Sequence, residues 1–250
     1  MPMAGLVFSS AVLVASCHSP LTPSINSDAL SLQTTTAHYV FHYSSGDAVQ
    51  ADLQERYHEW AVARLGVSLD RAIAYHKYRD RAQMERVTGK NANGWADPAS
   101  FAVHSISSWD YHEVVHVMTA LIGRPPDFFN EGIAVAMQVD PRDRQSGPRW
   151  NGVSIHDWAA GYRSTGMLPP LAEVVETDSF RRVDESKGYP IAGSFVSFMV
   201  DDRGMDNMKE FFRACPRDAP GVDIEREFTA AFGVTLQDAE ARWHNYLDAR

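Results

Sequence analysis

The sequence predicts an α+β fold: a small N-terminal mixed sheet with helices against it, followed by a mostly helical C-terminal half. Three observations carry this expectation. Between residues 38 and 106, short aromatic and β-branched runs alternate with helical stretches. Beyond Ser107, apolar residues recur almost everywhere at the spacing of a helix face. The chain of 250 residues, 44% apolar and 22% charged, is large enough to bury a substantial core.

Residues 1–16 carry no charge and hold an apolar run from Leu6 to Val14 that ends in small residues, the pattern of a signal peptide. The run is too short for a permanent membrane span. Val14-Ala15-Ser16-Cys17 resembles a bacterial lipobox, which implies that Cys17 is lipidated and becomes the first residue of the mature chain. Met1–Gly5 departs from that pattern by lacking Lys and Arg. Residues 17–36, rich in Ser, Thr and Pro, read as a flexible tether. The expectation is therefore an exported protein of the bacterial envelope, either held at the membrane through Cys17 or free in the periplasm or outside. The second cysteine, Cys215, is then left without a partner in an apolar helix position.

The folded domain is expected over 37–250, with a sheet-containing part to 107 and a helical part from 108. His38–Tyr43 suits a strand. Asp47, with Gln50 three residues on, opens a helix whose stripe is Leu53, Tyr57, Trp60 and Leu65 and which closes at Gly66. Ala72–Tyr78 reads as a second strand, Asp80–Val87 as a short helix, Asn91–Gly94 as a turn, and Phe101–Ile106 as a third strand. Helices follow over Trp109–Ile122 and Asp127–Met137, joined by a Gly-Arg-Pro-Pro turn. Residues 140–187 give no clear periodicity. Further helices are marked by Ile191, Phe195 and Met199, by Met208, Phe211 and Phe212, by Ile224, Phe228 and Phe232, and by Leu236, Ala239, Trp243 and Leu247, the last with a capping box at Thr235 and Asp238. The sequence contains no internal repeats.

The formal net charge of −9 argues against nucleic acid as a partner, because phosphate binding needs a basic face. The most basic stretch, 71–90, reads as a solvated face.

The chemistry concentrates in His112-Glu113-Val114-Val115-His116. Positions i and i+4 of a helix lie on one face, so both imidazoles reach a single metal ion. Glu113 sits one residue further round, flanks the ion, and is placed to take a proton from water there. A catalytic zinc uses three protein ligands and one open position. Glu131, in Asn130-Glu131-Gly132 on the next helix, supplies the third, with Gly132 letting the two helices approach. Asn130 has two readings: it orients a ligand, or it caps its helix. The remaining histidines, among them His38, His42, His58, His76, His104 and His244, lack ligand spacing and read as core or surface residues.

H-E-x-x-H followed by Phe128-Phe129-Asn130-Glu131-Gly132-Ile133-Ala134 resembles the gluzincin metallopeptidases, the peptidase MA-like and aminopeptidase N-like group. The resemblance extends weakly over most of the chain from His38 onward. It implies a zincin-like fold, one Zn2+ per chain held by His112, His116 and Glu131, Glu113 as general base, and hydrolysis of peptide or protein substrates. It also implies a downstream tyrosine that steadies the oxyanion; Tyr189 matches, with Tyr162 and His156 as rival donors. In zincins the strand just before the active-site helix is the sheet edge on which substrate lies, here Phe101–Ile106. Only fourteen residues separate His116 from Glu131, fewer than in aminopeptidase N-like enzymes, and their amine-gripping signature is absent. The alternative reading is a non-catalytic envelope lipoprotein that keeps the scaffold for binding.

Overall fold

A computed structural model describes residues 30–250. The expected leader (1–16), the proposed anchor at Cys17 and most of the expected tether (17–36) lie outside the described residues. In chain order the elements are β1 (Leu32–Thr35), β2 (Tyr39–Tyr43), α1 (Ala51–Leu65), β3 (Ile73–Lys77), α2 (Arg81–Thr88), β4 (Gly94–Asp97), β5 (Ala102–Ser105), α3 (His112–Thr119), α4 (Asp127–Ala136), β6 (Arg149–Trp150), β7 (Val153–Ser154), α5 (Ile155–Ser164), α6 (Leu171–Val174), α7 (Thr177–Phe180), α8 (Glu185–Arg203), α9 (Met205–Ala214), α10 (Gly221–Phe232) and α11 (Leu236–Asp248). The α+β class is as expected: a small mixed sheet, then a mostly helical half. Among the described residues no helix is long and apolar enough to cross a membrane.

The five-stranded sheet runs β1-β2-β3-β5-β4. β2, β3 and β5 are parallel, while β1 and β4 pair antiparallel at the two edges. Two expectations change here. The strand before the H-E-x-x-H helix, β5, is interior, and the edge beside that helix is β4. Its Asn91–Gly94 stretch carries strong turn chemistry, and Gly94 begins the strand instead of ending the turn. Residues 32–35, expected in the tether, pair with β2 as strand β1.

Strand alternation sends Tyr39, Phe41, Ile73, Tyr75 and Val103 into the core. The other face aligns His42, His76, His104 and Trp95 in one cross-strand row, because their Cα positions are in register. Their rings stack at 4.9, 4.7 and 4.7 Å between centroids. Within the basic stretch Lys77 is an exception to solvation: it is buried and its ammonium bonds Asp47 at 2.9 Å. Asp47 is thereby committed to Lys77, and α1 starts at Ala51 without a side-chain cap.

In the helical half, Phe128, Phe129, Phe195, Phe211, Phe228 and Trp243 are all essentially inaccessible to solvent and form one aromatic centre. α4 lies closely against α8. A Cβ on Gly132 would stand 2.6 Å from Val196 Cγ2 and 2.9 Å from the Ala192 carbonyl oxygen. The close approach that Gly132 permits is therefore to α8, not to α3. The 140–187 region resolves into a 3-10 turn at Arg144–Ser146, the β6–β7 hairpin, the ten-residue α5, the four-residue α6 and α7, and the start of α8.

Candidate metal centre

α3 is held at its start from three directions. Asp110 Oδ1 accepts the backbone N–H of His112 and of Glu113, each at 2.9 Å, which satisfies two of the helix's free amides. Its Oδ2 accepts the Ser105 hydroxyl at 2.8 Å, tying the helix to β5. Gln54 of α1 accepts the Asp110 N–H at 2.8 Å and donates to its carbonyl at 3.0 Å. The helix consequently begins at His112 rather than at Trp109. The opposite face, Val114, Val115, Val117 and Met118, is fully buried and fixes its rotation. With that face inward, His112, Glu113 and His116 turn toward a cleft of about 560 Å3.

α4 brings Glu131 to the same point. Glu131 Oε2 lies 3.1 Å from His112 Nε2 and 3.2 Å from His116 Nε2, and the two Nε2 atoms are 3.1 Å apart. The three donor atoms can hold a metal ion. The donor set fits one: a tetrahedral ion with bonds of about 2.0–2.1 Å sets its ligands about 3.3–3.4 Å apart, close to these spacings. Two facing ring nitrogens share at most one proton, and a common cation satisfies both.

The outer ring nitrogens are also held. Asn130 Nδ2 lies 3.2 Å from His116 Nδ1 and Gln138 Nε2 lies 2.8 Å from His112 Nδ1. A ring that offers its Nε2 lone pair to a metal carries its proton on Nδ1 and needs an acceptor there. With a metal on Nε2, each carboxamide would turn by half a revolution to present its oxygen as that acceptor. Asn130 lies inside α4, whose cap position is Pro126, so it does not cap the helix, and its side chain contacts His116. Gln138 is carried by the chain just past α4, where Tyr57 of α1 donates to the Met137 carbonyl at 2.8 Å.

The electrostatics separate the two carboxylates. Burial alone would raise Glu131, yet the His116 charge and hydrogen bonds from both rings hold it well below the usual carboxylate range. Burial pulls the His116 ring down, but the Glu131 carboxylate outweighs it and the pKa stands at about 9; a divalent ion competes with that proton for the same lone pair. Glu113 goes the other way. Burial raises it to about 7, with Asp110 and Glu131 adding to the shift and the two imidazoles opposing it. β4 presses on this side chain: a Cβ on Gly94 would meet its Oε1 and Cγ at 2.7 Å. The absence of a side chain at residue 94 is what leaves Glu113 its place.

Tyr189 also faces the cleft. It lies inside α8, which begins at Glu185 with Asp184 as its cap, ahead of the Ile191, Phe195 and Met199 stripe. Its ring stacks over His112 at 5.9 Å and meets Trp150 of β6 at 5.3 Å. Burial, then the nearby Glu131 charge, raises its hydroxyl far above the ordinary phenol range, so it stays a proton donor. The rivals lie elsewhere. His156 is buried against Ser194 and Tyr246, and Tyr162 lies under Lys187.

Asp110, Gln138, Trp150 and Gly94 are the site residues that sequence reasoning missed. Asp110 alone left a local signal, an acid two residues before the first histidine where a cap belongs. No protein-family model and no curated protein matches the chain.

Proposed function

We propose that the protein is a zinc-dependent metallopeptidase of the gluzincin type on a zincin-like scaffold. One observation carries the reading: His112, His116 and Glu131 converge on one point while the Glu113 carboxyl, without a side-chain hydrogen bond among the described residues, stands beside them in the same cleft. An acid raised toward neutrality in such a place is matched to proton transfer. The His₂Glu set with an open position suits Zn2+.

A bound zinc ion supplies Lewis acidity, polarising a carbonyl oxygen and acidifying water. Glu113 takes a proton from the attacking water as its oxygen bonds the scissile carbon, then passes that proton to the departing amine as the C–N bond breaks. Tyr189 donates its hydroxyl proton in a hydrogen bond to the oxygen that gathers charge. An extended peptide is aligned along β4, the edge strand that flanks α3, instead of along β5. Export, and lipidation at Cys17, belong to the same reading of the leader.

The test is a peptide-library digest with and without chelator, run on the parent and on Glu113→Gln. The expected outcome is chelator-sensitive cleavage by the parent, and a variant that retains one zinc per chain but cleaves at least 100-fold more slowly. A variant as fast as the parent would overturn the general-base role. Zinc binding with no cleavage of any peptide would leave the non-catalytic alternative.

A further inference from the structure

The cleft does not end at the metal donors. At the α3–α4 turn it is walled by Arg124, Arg181 and Arg217, of which the last two close on Asp127. This is a concentration of positive charge on a chain of net charge −9. Asp127 is the first residue of α4, and its side chain is 10% exposed. Its carboxylate accepts Arg217 Nε at 2.7 Å and Nη2 at 2.8 Å, and Arg181 Nε at 2.6 Å. The frame behind it is rigid. Thr177 Oγ1 accepts the Asp127 N–H at 3.1 Å and donates to the Arg217 carbonyl at 2.5 Å, so the starts of α4 and α7 and the segment after α9 are tied together.

One bidentate arginine would satisfy a buried aspartate. Here a second guanidinium, Arg181, is held through Nε alone, with both terminal nitrogens outside the pair and its side chain 58% exposed. Arg124 is exposed and makes no ion pair among the described residues. Against Asp127 alone the three arginines leave two positive charges at this corner, before the acids beyond it are counted. Asp178 and Glu131 are the acids felt by Arg217, and Glu185 lines the cleft nearby. Asp127 and Glu131 stand at i and i+4 on α4, so the cluster lies about one helical turn, ~6 Å, from the metal donors. That is about two residues of an extended peptide.

We propose that this corner is a carboxylate-recognition subsite, and that the favoured peptides carry a carboxylate about two residues from the scissile bond, from an acidic side chain or from the chain terminus. The proposal rests on the peptidase reading above. Asp127 holds the arginine forks in place before substrate arrives, so little ordering remains when the anion docks.

The test uses one peptide series with Glu or Gln at each position near the cut and with a free or amidated C-terminus. Binding is read by fluorescence anisotropy on Glu113→Gln, and kcat/KM on the parent. The expected result is a preference of about tenfold or more for the carboxylate form at one position, weakened by added salt. Arg124→Gln and Arg181→Gln, both exposed, should reduce that ratio to about twofold. A preference at an internal Glu assigns a side chain, and one confined to the free C-terminus assigns the chain end; either supports the subsite. Equal binding and cleavage across the series overturns it and leaves the peptidase reading intact. Carboxylate-selective binding without cleavage by the parent keeps the subsite and overturns the peptidase reading, and no peptide binding overturns both.

Discussion

At the scale of single residues, metal binding by His112, His116 and Glu131 would depend on which ring nitrogen carries a proton. Each histidine has two equivalent ways to be neutral, and only one presents Nε2 to the cleft. Gln138 and Asn130 decide between them. Carboxamides are weaker partners than the carboxylates that often back metal-bound histidines, so each contributes orientation more than charge. Gln138→Leu retains the volume and removes the acceptor from His112 Nδ1. It should weaken zinc binding by about 10–100-fold, read by competition with a chromophoric chelator. The melting temperature of the metal-free protein should change little, because Gln138 stands at the cleft and not in the aromatic centre. Unchanged zinc affinity in this variant would mean that His112 is oriented by its helix alone.

At the scale of elements, the sheet carries its own titratable device. His76 is sandwiched between His42 and His104 on the outer face, and His104 in turn meets Trp95 and accepts or donates with the Tyr78 hydroxyl at 2.8 Å. Burial, then the neighbouring His104 and His42, pulls His76 down to about 4. His104 is lowered by burial against a small opposing pull from Asp97. A ring that refuses a proton in the fold but accepts one near pH 6.5 when unfolded makes the unfolded chain the greater proton binder between those values. Stability from this row is thus complete above about pH 6.5 and falls as the pH drops toward 4. Melting curves at pH 7.5, 6.5, 5.5 and 4.5 should show the decline, and His76→Phe should flatten part of it. A slope untouched by that substitution would assign the acid sensitivity elsewhere, with buried His58 and His156, both also near 4, as the next groups. This row was invisible in the sequence because register, not spacing along the chain, brings His42, His76 and His104 together. The same reason hid Gln138, Trp150 and the arginine corner. By contrast, His112, Glu113 and His116 are related by helix geometry alone, and the Gly-Arg-Pro-Pro turn brings the helix of Glu131 back, so the metal donors were legible. α11 was legible through Thr235 and its stripe, whereas β1 and β4 were masked by Ser, Thr, Asn and Gly that read as tether and turn. The four-residue helices α6 and α7 lack enough turns to show a period, and α5, with ten residues, buries only Ile155, His156 and Ala159.

At the scale of the whole molecule, the candidate metal centre is placed on a fold that does not need it. Both helices that carry ligands bury their opposite faces: Val114, Val115, Val117 and Met118 of α3, and Phe128, Phe129, Ile133 and Ala134 of α4. These contacts belong to a continuous core that runs from the sheet through α8 to α11. Small domains folded around a structural zinc lack such a core and unfold when it is removed. Here chelation should leave secondary structure intact and remove only the linkage contribution of the ion. Zinc at 100 times its dissociation constant adds about 2.7 kcal/mol to a folded state that alone binds it. For a chain of this size that corresponds to about 5–10 °C in melting temperature. Calorimetry with zinc and then with chelator should give a shift of that order with near-identical far-UV circular dichroism, and His112→Ala should abolish the shift. Global unfolding on chelation would make the ion a structural one, while the same shift in His112→Ala would place the binding site outside the cleft formed by α3 and α4.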